Sequence, residues 1–414
     1  MNNIGLYLSN SSNKNHIINE ILANRFLYEY IDLSNLKGAL HSSITIDRFL
    51  DEELRHDHFL IYTKKNSSLG SMSSGEQKRE LLNYLISLKP QYIVLDDVYS
   101  NIDKETQQLI TKTLANLTSS TLLIQLFFRK RDLLPSVETV FTIDQNNEIT
   151  KQESAETFQA SNLTAETNQH FFRLPNEYNK IHADLPDPLI QLNSVSVHYL
   201  DKPVLNKVSW AIIKGEFWQL VGPNGSGKST LLSIIIGDNP KGYGQDMTLF
   251  GKKKGTGETI WDIKRQIGYF TPSMMNQFTR NDSVENMIIS GFLDSVGLYT
   301  KPTDLQKDIA RKWMEMLGSS YKNKLFQNLS IGQQRMVMVV RAMVKLPSLL
   351  ILDEPTIELD DANSQLFIEM VNAIAAEKKV AIVYVSHRDE PNLKADKVFE
   401  LIIGVTGSSG IQTK

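Results

Sequence analysis

The sequence predicts an α/β chain that repeats one plan twice, each half a parallel sheet flanked by helices, and two observations carry that prediction. First, the glycine-rich stretch Gly222-Pro-Asn-Gly-Ser-Gly-Lys-Ser-Thr230 joins an apolar strand at 217–221 to an apolar helix at 230–236, the strand–loop–helix context of a phosphate-binding loop. Second, one order of segments occurs twice. Ser71-Met-Ser-Ser-Gly-Glu-Gln77 precedes a helix pattern at 78–88, Pro90 and the strand Tyr92-Ile-Val-Leu-Asp-Asp97. Asn328-Leu-Ser-Ile-Gly-Gln-Gln-Arg335 precedes a helix pattern at 336–344, Pro347 and Leu349-Leu-Ile-Leu-Asp-Glu354. Tyr99-Ser-Asn-Ile-Asp103 and Thr356-Ile-Glu-Leu-Asp360 follow in matching places, so the chain reads as an internal duplication.

Length and composition agree with two domains. The 414 residues give each half enough chain for a sizeable core. A net charge of -3 gives no general attraction to nucleic acid; Lys252-Lys253-Lys254 is a local basic triplet, read as a solvated turn. There is no cysteine, which excludes disulfides, iron–sulfur clusters and thiolate zinc sites and fits a reducing cytoplasm. The longest apolar runs, such as 380–385, are too short to span a bilayer, and the first residues show no basic segment followed by an apolar one. A cytoplasmic protein is expected, and any membrane component must come from another subunit.

The predicted boundaries are a first half at 1–149, a polar and mostly acidic linker at 150–187, a second half at 188–405 and a disordered tail at 406–414. The first half opens on a short strand at 5–9 and the turn Asn10-Ser-Ser-Asn-Lys-Asn-His16. Laid on the later loop, Lys14 falls opposite Lys228, but no glycine remains and Asn15 stands where Ser229 does, so triphosphate binding is not expected there. The second half begins with alternating apolar positions (Ile190, Leu192, Val195, Val197, Tyr199), a β-rich lead into the glycine loop that the first half lacks. Farther on, 282–292 and 303–317 read as helices, with Leu305, Ile309, Trp313 and Leu317 forming a core stripe.

The chemistry follows from residue types. Phosphates need a backbone that comes close with its N–H groups turned inward, which Gly222, Gly225 and Gly227 permit, with Pro223, Asn224 and Ser226 completing the loop and Thr230 continuing into the helix. Lys228 reaches the β- and γ-phosphates and Ser229 takes Mg²⁺. Hydrolysis also needs a carboxylate for the metal and a base or water-positioning group, which Asp353 and Glu354 supply at the end of an apolar strand. His387, just after the strand at 380–385, is placed to hold the attacking water.

These residues resemble the ATP-binding-cassette ATPases. The resemblance rests on the glycine loop, on Leu329-Ser-Ile-Gly-Gln-Gln334 as a signature, and on Asp353, Glu354, Asp360 and His387 in the family's order. It extends to Ser73-Ser-Gly-Glu-Gln77 and Leu95-Asp-Asp97 as a second, truncated and degenerate cassette; Gly257-Glu-Thr-Ile-Trp-Asp-Ile-Lys264 and 289–299 resemble tandem, membrane-free members. The resemblance implies a parallel-sheet core and a helical signature subdomain in each half, ATP and Mg²⁺ as ligands, and Tyr199 as the aromatic stacked on adenine. It also implies that the two halves pair head to tail within one chain. One composite site, Lys228, Ser229, Asp353, Glu354 and His387 against Ser73 and Gly75, is then complete. The other, Ser330 and Gly332 against the Asn10 loop, is not.

Three roles stay open at this stage. The chain reads foremost as a soluble ATPase with one composite site. As an importer's ATP-hydrolysing subunit, it would take molybdate as candidate cargo, a membrane permease as partner and the inner face of the membrane as its place. Against that, Thr271-Pro-Ser273 stands where the family has its coupling glutamine. The third role is an ATP-gated binding module with little turnover. A ribosome-associated or DNA-repair cassette is disfavoured by the acidic linker and the lack of cysteine.

Overall fold

In the computed structural model, residues 2–56, 59, 61, 68–100, 102–117, 120–161, 172, 185–200, 202–386 and 390–413 are described. The chain divides into two units, residues 1–167 with 357–363, and residues 168–356 with 364–414.

In the first unit the elements run β1 (Asn3–Leu8), α1 (Lys14–Leu22), β2 (Gly38–His41), α2 (Ser43–His56), α3 (Ser74–Ser87), β3 (Tyr92–Asp96), α4 (Lys104–Ala115), β4 (Leu122–Phe127), β5 (Val137–Ile143), β6 (Ile149–Ser154) and α5 (Ala155–Ala160). The six strands form one sheet ordered β2-β3-β4-β1-β5-β6, parallel except for the final β5–β6 pair. Alternate residues of β4 enter different cores. Leu122, Ile124 and Leu126 pack with Ile17 and Ile21 of α1, whereas Leu123 and Phe127 pack with Leu82 of α3 and Leu114 of α4. Helices on both faces account for strands that read as continuous apolar runs rather than alternating ones.

The second unit continues with β7 (Ile190–Tyr199), β8 (Lys202–Ile212), β9 (Phe217–Val221), α6 (Lys228–Ile236), β10 (Met247–Leu249), β11 (Lys252–Lys253), α7 (Ile260–Gln266), β12 (Ile267–Phe270), α8 (Val284–Ser290), α9 (Asp304–Leu317), α10 (Ile331–Met343), β13 (Leu349–Asp353), α11 (Asp361–Ala376), β14 (Ala381–Val385), β15 (Lys397–Ile402) and β16 (Ser409–Gln412). Its main sheet is ordered β12-β13-β14-β9-β15-β16, again with one antiparallel pair at the end. Strand for strand, this is the order of the first unit. A second, antiparallel sheet, β11-β10-β7-β8, packs on it through Trp210, which stacks on Phe399 at 4.5 Å and meets Trp218 edge-on. This sheet is the expected β-rich lead, with Ile190, Leu192, Val195 and Val197 all buried.

Four expectations need correction. Residues 150–160, assigned to the linker, belong to β6 and α5; linker residues 162–171 and 173–184 lie outside the described residues. The tail assigned as disordered contains β16, paired antiparallel with β15. In the α9 stripe, Trp313 and Leu317 are buried together with Ala310, but Leu305 is 67% exposed. A spacing of four advances about 40° per step on a helix, so three steps back from Leu317 turn Leu305 off the core face. Of the basic triplet only Lys252 and Lys253 are solvated. Lys254 is buried and ion-paired with Glu258 at 3.1 Å.

Candidate functional site

The glycine loop lies between β9 and α6 and has the backbone its sequence demands. Gly222, Gly225 and Gly227 have φ of +151°, +77° and +90°, the region that L side chains avoid. A Cβ on Gly227 would also come within 2.8 Å of Leu205 and 3.0 Å of Val204 on β8, whereas Gly225 faces open space. Helix α6 starts at Lys228 with Gly227 as its cap and no capping side chain, which leaves its first N–H groups to the loop. Lys228 folds back onto the loop, its Nζ donating to the Gly222 carbonyl at 2.7 Å and the Pro223 carbonyl at 3.0 Å. Ser229 is exposed at the helix start. The Ser226 Oγ is buried without a hydrogen-bond partner inside the loop, a polar atom that a phosphate oxygen could satisfy.

Asp353 ends β13, and Glu354 follows with φ +51° and its N–H held by the Val385 carbonyl of β14 at 3.0 Å. A non-glycine residue in that conformation is strained, and the neighbouring strand holds it there. Burial, then the adjacent Glu354 charge, push the Asp353 carboxyl up to about 6, with Lys228 and the Tyr269 phenol pulling the other way. Tyr269 on β12 donates to Asp353 at 3.4 Å. Sequence reasoning missed this tyrosine, because only the β12–β13 register brings it beside the carboxylate.

These residues fit Mg²⁺-ATP. The glycine cradle, the free helix N-terminus and the orphaned Ser226 hydroxyl suit phosphates, and the crowded Asp353–Glu354 pair suits a nearby cation. Among the described residues no group of three or more His, Cys, Asp or Glu side chains could hold a metal by itself. Tyr199, at the end of β7, is 42% exposed and lines a cleft of about 500 Å³ together with Gly225 and Thr230 of the loop. His387 lies outside the described residues.

The first unit shows the same scaffold without the cradle. Helix α1 starts at Lys14, as α6 starts at Lys228, but Asn13 caps it through its side chain. Lys14 pairs with the buried Asp96 at the end of β3 (3.1 Å), and the other Asp96 oxygen accepts from Ser42 at 2.6 Å. Burial alone would lower the Lys14 pKa; Asp96, joined by Asp97 and Glu358, more than reverses this and raises it, which keeps the ammonium charged and engaged. Within this unit the Asn10 N–H donates to the Asp360 carboxylate at 2.7 Å. Asp97 has φ +42° and its N–H on Leu126, the counterpart of Glu354 on Val385. Ser73 caps α3 in a reciprocal box with Glu76, and Ser330 caps α10 likewise with Gln333.

The fold and this site define a P-loop nucleoside triphosphatase. A family profile described as ABC transporter matches residues 205–357 and leaves the first unit unmatched. The ABC transporter ATP-binding protein ModF of Escherichia coli is 38% identical over 330 residues, which cover 77% of this chain and 67% of that protein. An uncharacterised ABC transporter ATP-binding protein of Schizosaccharomyces pombe is 28% identical over 335 residues, 78% of this chain and 66% of that protein. The chain therefore spans about two thirds of the length of these two relatives. The zinc uptake system ATP-binding protein ZurA of Listeria monocytogenes is 35% identical over 206 residues, 48% of this chain and 76% of that protein. The chain belongs to the ABC transporter ATPase family, is ModF-like, and has that family's P-loop ATP hydrolysis as its activity. No helix among the described residues is long and apolar enough to cross a membrane.

Proposed function

We propose that the chain is a tandem-cassette ATPase with one working nucleotide site, residues 1–149 being a degenerate cassette and 188–405 the complete one. The observation that carries this reading is the contrast between the two lysines. Lys228 lies in a glycine cradle with its ammonium on loop carbonyls, whereas Lys14 lies in a loop without glycine and is ion-paired with a buried carboxylate. The matching strand order of the two main sheets supports common descent of the halves.

In the working site the loop N–H groups and Lys228 hold the phosphates, and Tyr199 takes the adenine face. Ser229 and Asp353 hold Mg²⁺, which when bound neutralises the charge that builds on the phosphates. Glu354, fixed by its strand-tethered N–H, orients the attacking water and accepts its proton, with His387 on the γ-phosphate side. The signature residues Ser73 and Gly75, at the N-terminus of α3, close on the γ-phosphate when the halves pair head to tail.

Calorimetry with Mg²⁺-ATP tests the asymmetry: one site per chain is expected, unchanged by Lys14→Ala and abolished by Lys228→Ala, and two tight sites per chain would overturn it. The names of the relatives favour a further role as the cytoplasmic ATP-hydrolysing subunit of a transporter with a membrane permease as partner; molybdate as candidate cargo rests on the sequence resemblance alone. Affinity purification with Glu354→Gln from detergent-solubilised membranes tests that role, and its support is the recovery of a membrane permease.

A further inference from the structure

Tyr199 is held by a residue forty positions away. The Asn239 amide donates one N–H to the Tyr199 phenol oxygen at 2.6 Å and the other to the Ser233 hydroxyl at 3.0 Å, and its oxygen accepts from the Lys241 N–H at 3.0 Å. Both amide donors are therefore used and the amide is fixed in one orientation. Ser233 in turn donates to the Thr230 carbonyl at 2.8 Å, inside the first turns of the phosphate-binding helix α6. The chain of bonds runs from the phosphate loop to the exposed ring, and Asn239 itself is buried. A tyrosine ring at a cleft mouth has no packing reason to be tethered this way, and the tether sets the ring's position relative to the loop.

The cleft has a second wall. The turn at 403–408 carries the exposed apolar side chains Ile403 and Val405, and both line the same cleft as Tyr199. Three hydrogen bonds staple this turn to β8: Ser408 N–H to Val204 at 2.9 Å, Asn206 N–H to Ser408 at 2.8 Å, and the Asn206 amide to the Thr406 hydroxyl at 2.9 Å. Gly407, at φ +105°, brings its backbone close enough that a Cβ would lie 3.2 Å from the Leu205 carbonyl carbon. An aromatic ring and an apolar turn, both anchored, bound a space suited to a flat heteroaromatic ligand.

We propose that Asn239 is the positioning residue of the nucleobase half of the site, fixing Tyr199 against a base whose other side is covered by the Ile403–Val405 turn. The proposal rests on the reading that Tyr199 contacts the base. It predicts that binding of the base and binding of the phosphates can be separated by mutation, because the tether is continuous with α6 but does not touch the phosphates.

The test is calorimetry of the full chain with Mg²⁺-ATP and, in parallel, with Mg²⁺-tripolyphosphate, which carries the phosphates without a base. Asn239→Ala and Tyr199→Phe should each weaken ATP about fivefold, the worth of one neutral hydrogen bond, and leave tripolyphosphate unchanged. The double variant should be no weaker than either single one, since both remove the same bond. Val405→Ser should weaken ATP and not tripolyphosphate. If Asn239→Ala weakens both ligands equally, its role is structural support of the loop and the proposal fails. If the two losses multiply, the tether is not what Asn239 contributes. Tyr199→Leu separates the two readings: no loss of ATP affinity there would mean that the base does not lie on Tyr199, whereas a loss there with none in Asn239→Ala would overturn the positioning role alone.

Discussion

Gly75→Asp separates pairing within one chain from pairing between chains, and the first unit's own geometry makes its outcome interpretable. A Cβ at Gly75 would meet Ile102 and Thr106 at 3.6 Å, ordinary van der Waals contact, and the residue does not have positive φ. It is the second residue of α3, where a carboxylate favours the helix dipole by a few tenths of a kcal/mol. The substitution meets no backbone clash, so the cost to the first unit is that of placing a carboxylate at a buried position, and thermal melting of the variant measures it. If Gly75 closes on the γ-phosphate at Lys228, the new carboxylate faces phosphate charge. At about 5 Å and an effective dielectric near 20, one pair of like charges costs about 3 kcal/mol, more than a hundredfold. In Ser73→Arg, loss of the hydroxyl donor to the transferring phosphoryl costs a factor of about one hundred. Steady-state ATPase rates for Gly75→Asp and Ser73→Arg should fall to background, while Gly332→Asp and Ser330→Arg cost much less; the two serine variants also lose a helix cap worth about 1 kcal/mol, and melting curves check that each variant still folds. Exchange of these phenotypes would show that two chains pair through their second halves, and the head-to-tail reading within one chain would be wrong.

Three further outcomes follow from the site and the cores. Lys228→Ala should lose most ATP binding, whereas Glu354→Gln should keep it and lose turnover by about two orders of magnitude; equal loss of binding in both would remove Glu354 as the base. His41 is fully buried, its Nε2–H on the Lys78 carbonyl at 2.9 Å, and burial lowers its pKa to about 4, outweighing the opposing hydrogen bond to that carbonyl, with the Lys78 ammonium adding to burial and Asp96 opposing it. The unfolded imidazole takes its proton first, near 6.5, so its contribution of about 3 kcal/mol is complete above that pH and is lost as pH falls toward 4. Hydrogen exchange in residues 38–41, corrected for intrinsic rate, should report this opening, and His41→Gln should flatten the dependence. Gly291→Ala would place a Cβ 2.1 Å from the Arg341 carbonyl oxygen, so α8 and α10 must part; urea unfolding followed by tryptophan fluorescence should show a loss of about 1–3 kcal/mol.

The parts of the site that were legible in the sequence are those whose chemistry is local. Glycines at 222, 225 and 227 are dictated by the loop's own backbone, and Asp353 and Glu354 by their place at the end of a buried strand. Lys14 could be aligned with Lys228 by spacing alone, but only the tertiary structure puts Asp96 against it, because that pairing depends on how β3 and β1 come together around β4. Tyr269 beside Asp353 and Asn239 beside Tyr199 are likewise products of strand register and of a turn after α6, which leave no periodic trace. The two strands read as linker and tail, β6 and β16, share one position: each is the outermost strand of its sheet, antiparallel to its neighbour and largely exposed. An edge strand is held by backbone hydrogen bonds on one side and has little apolar surface to bury, so its composition reads as linker or tail. The sequence by itself determined where phosphates can bind and that the plan is used twice. The tertiary structure decided that Lys14 is paired with a buried carboxylate, because that partner is distant in the chain and reaches it only through the order of the sheet.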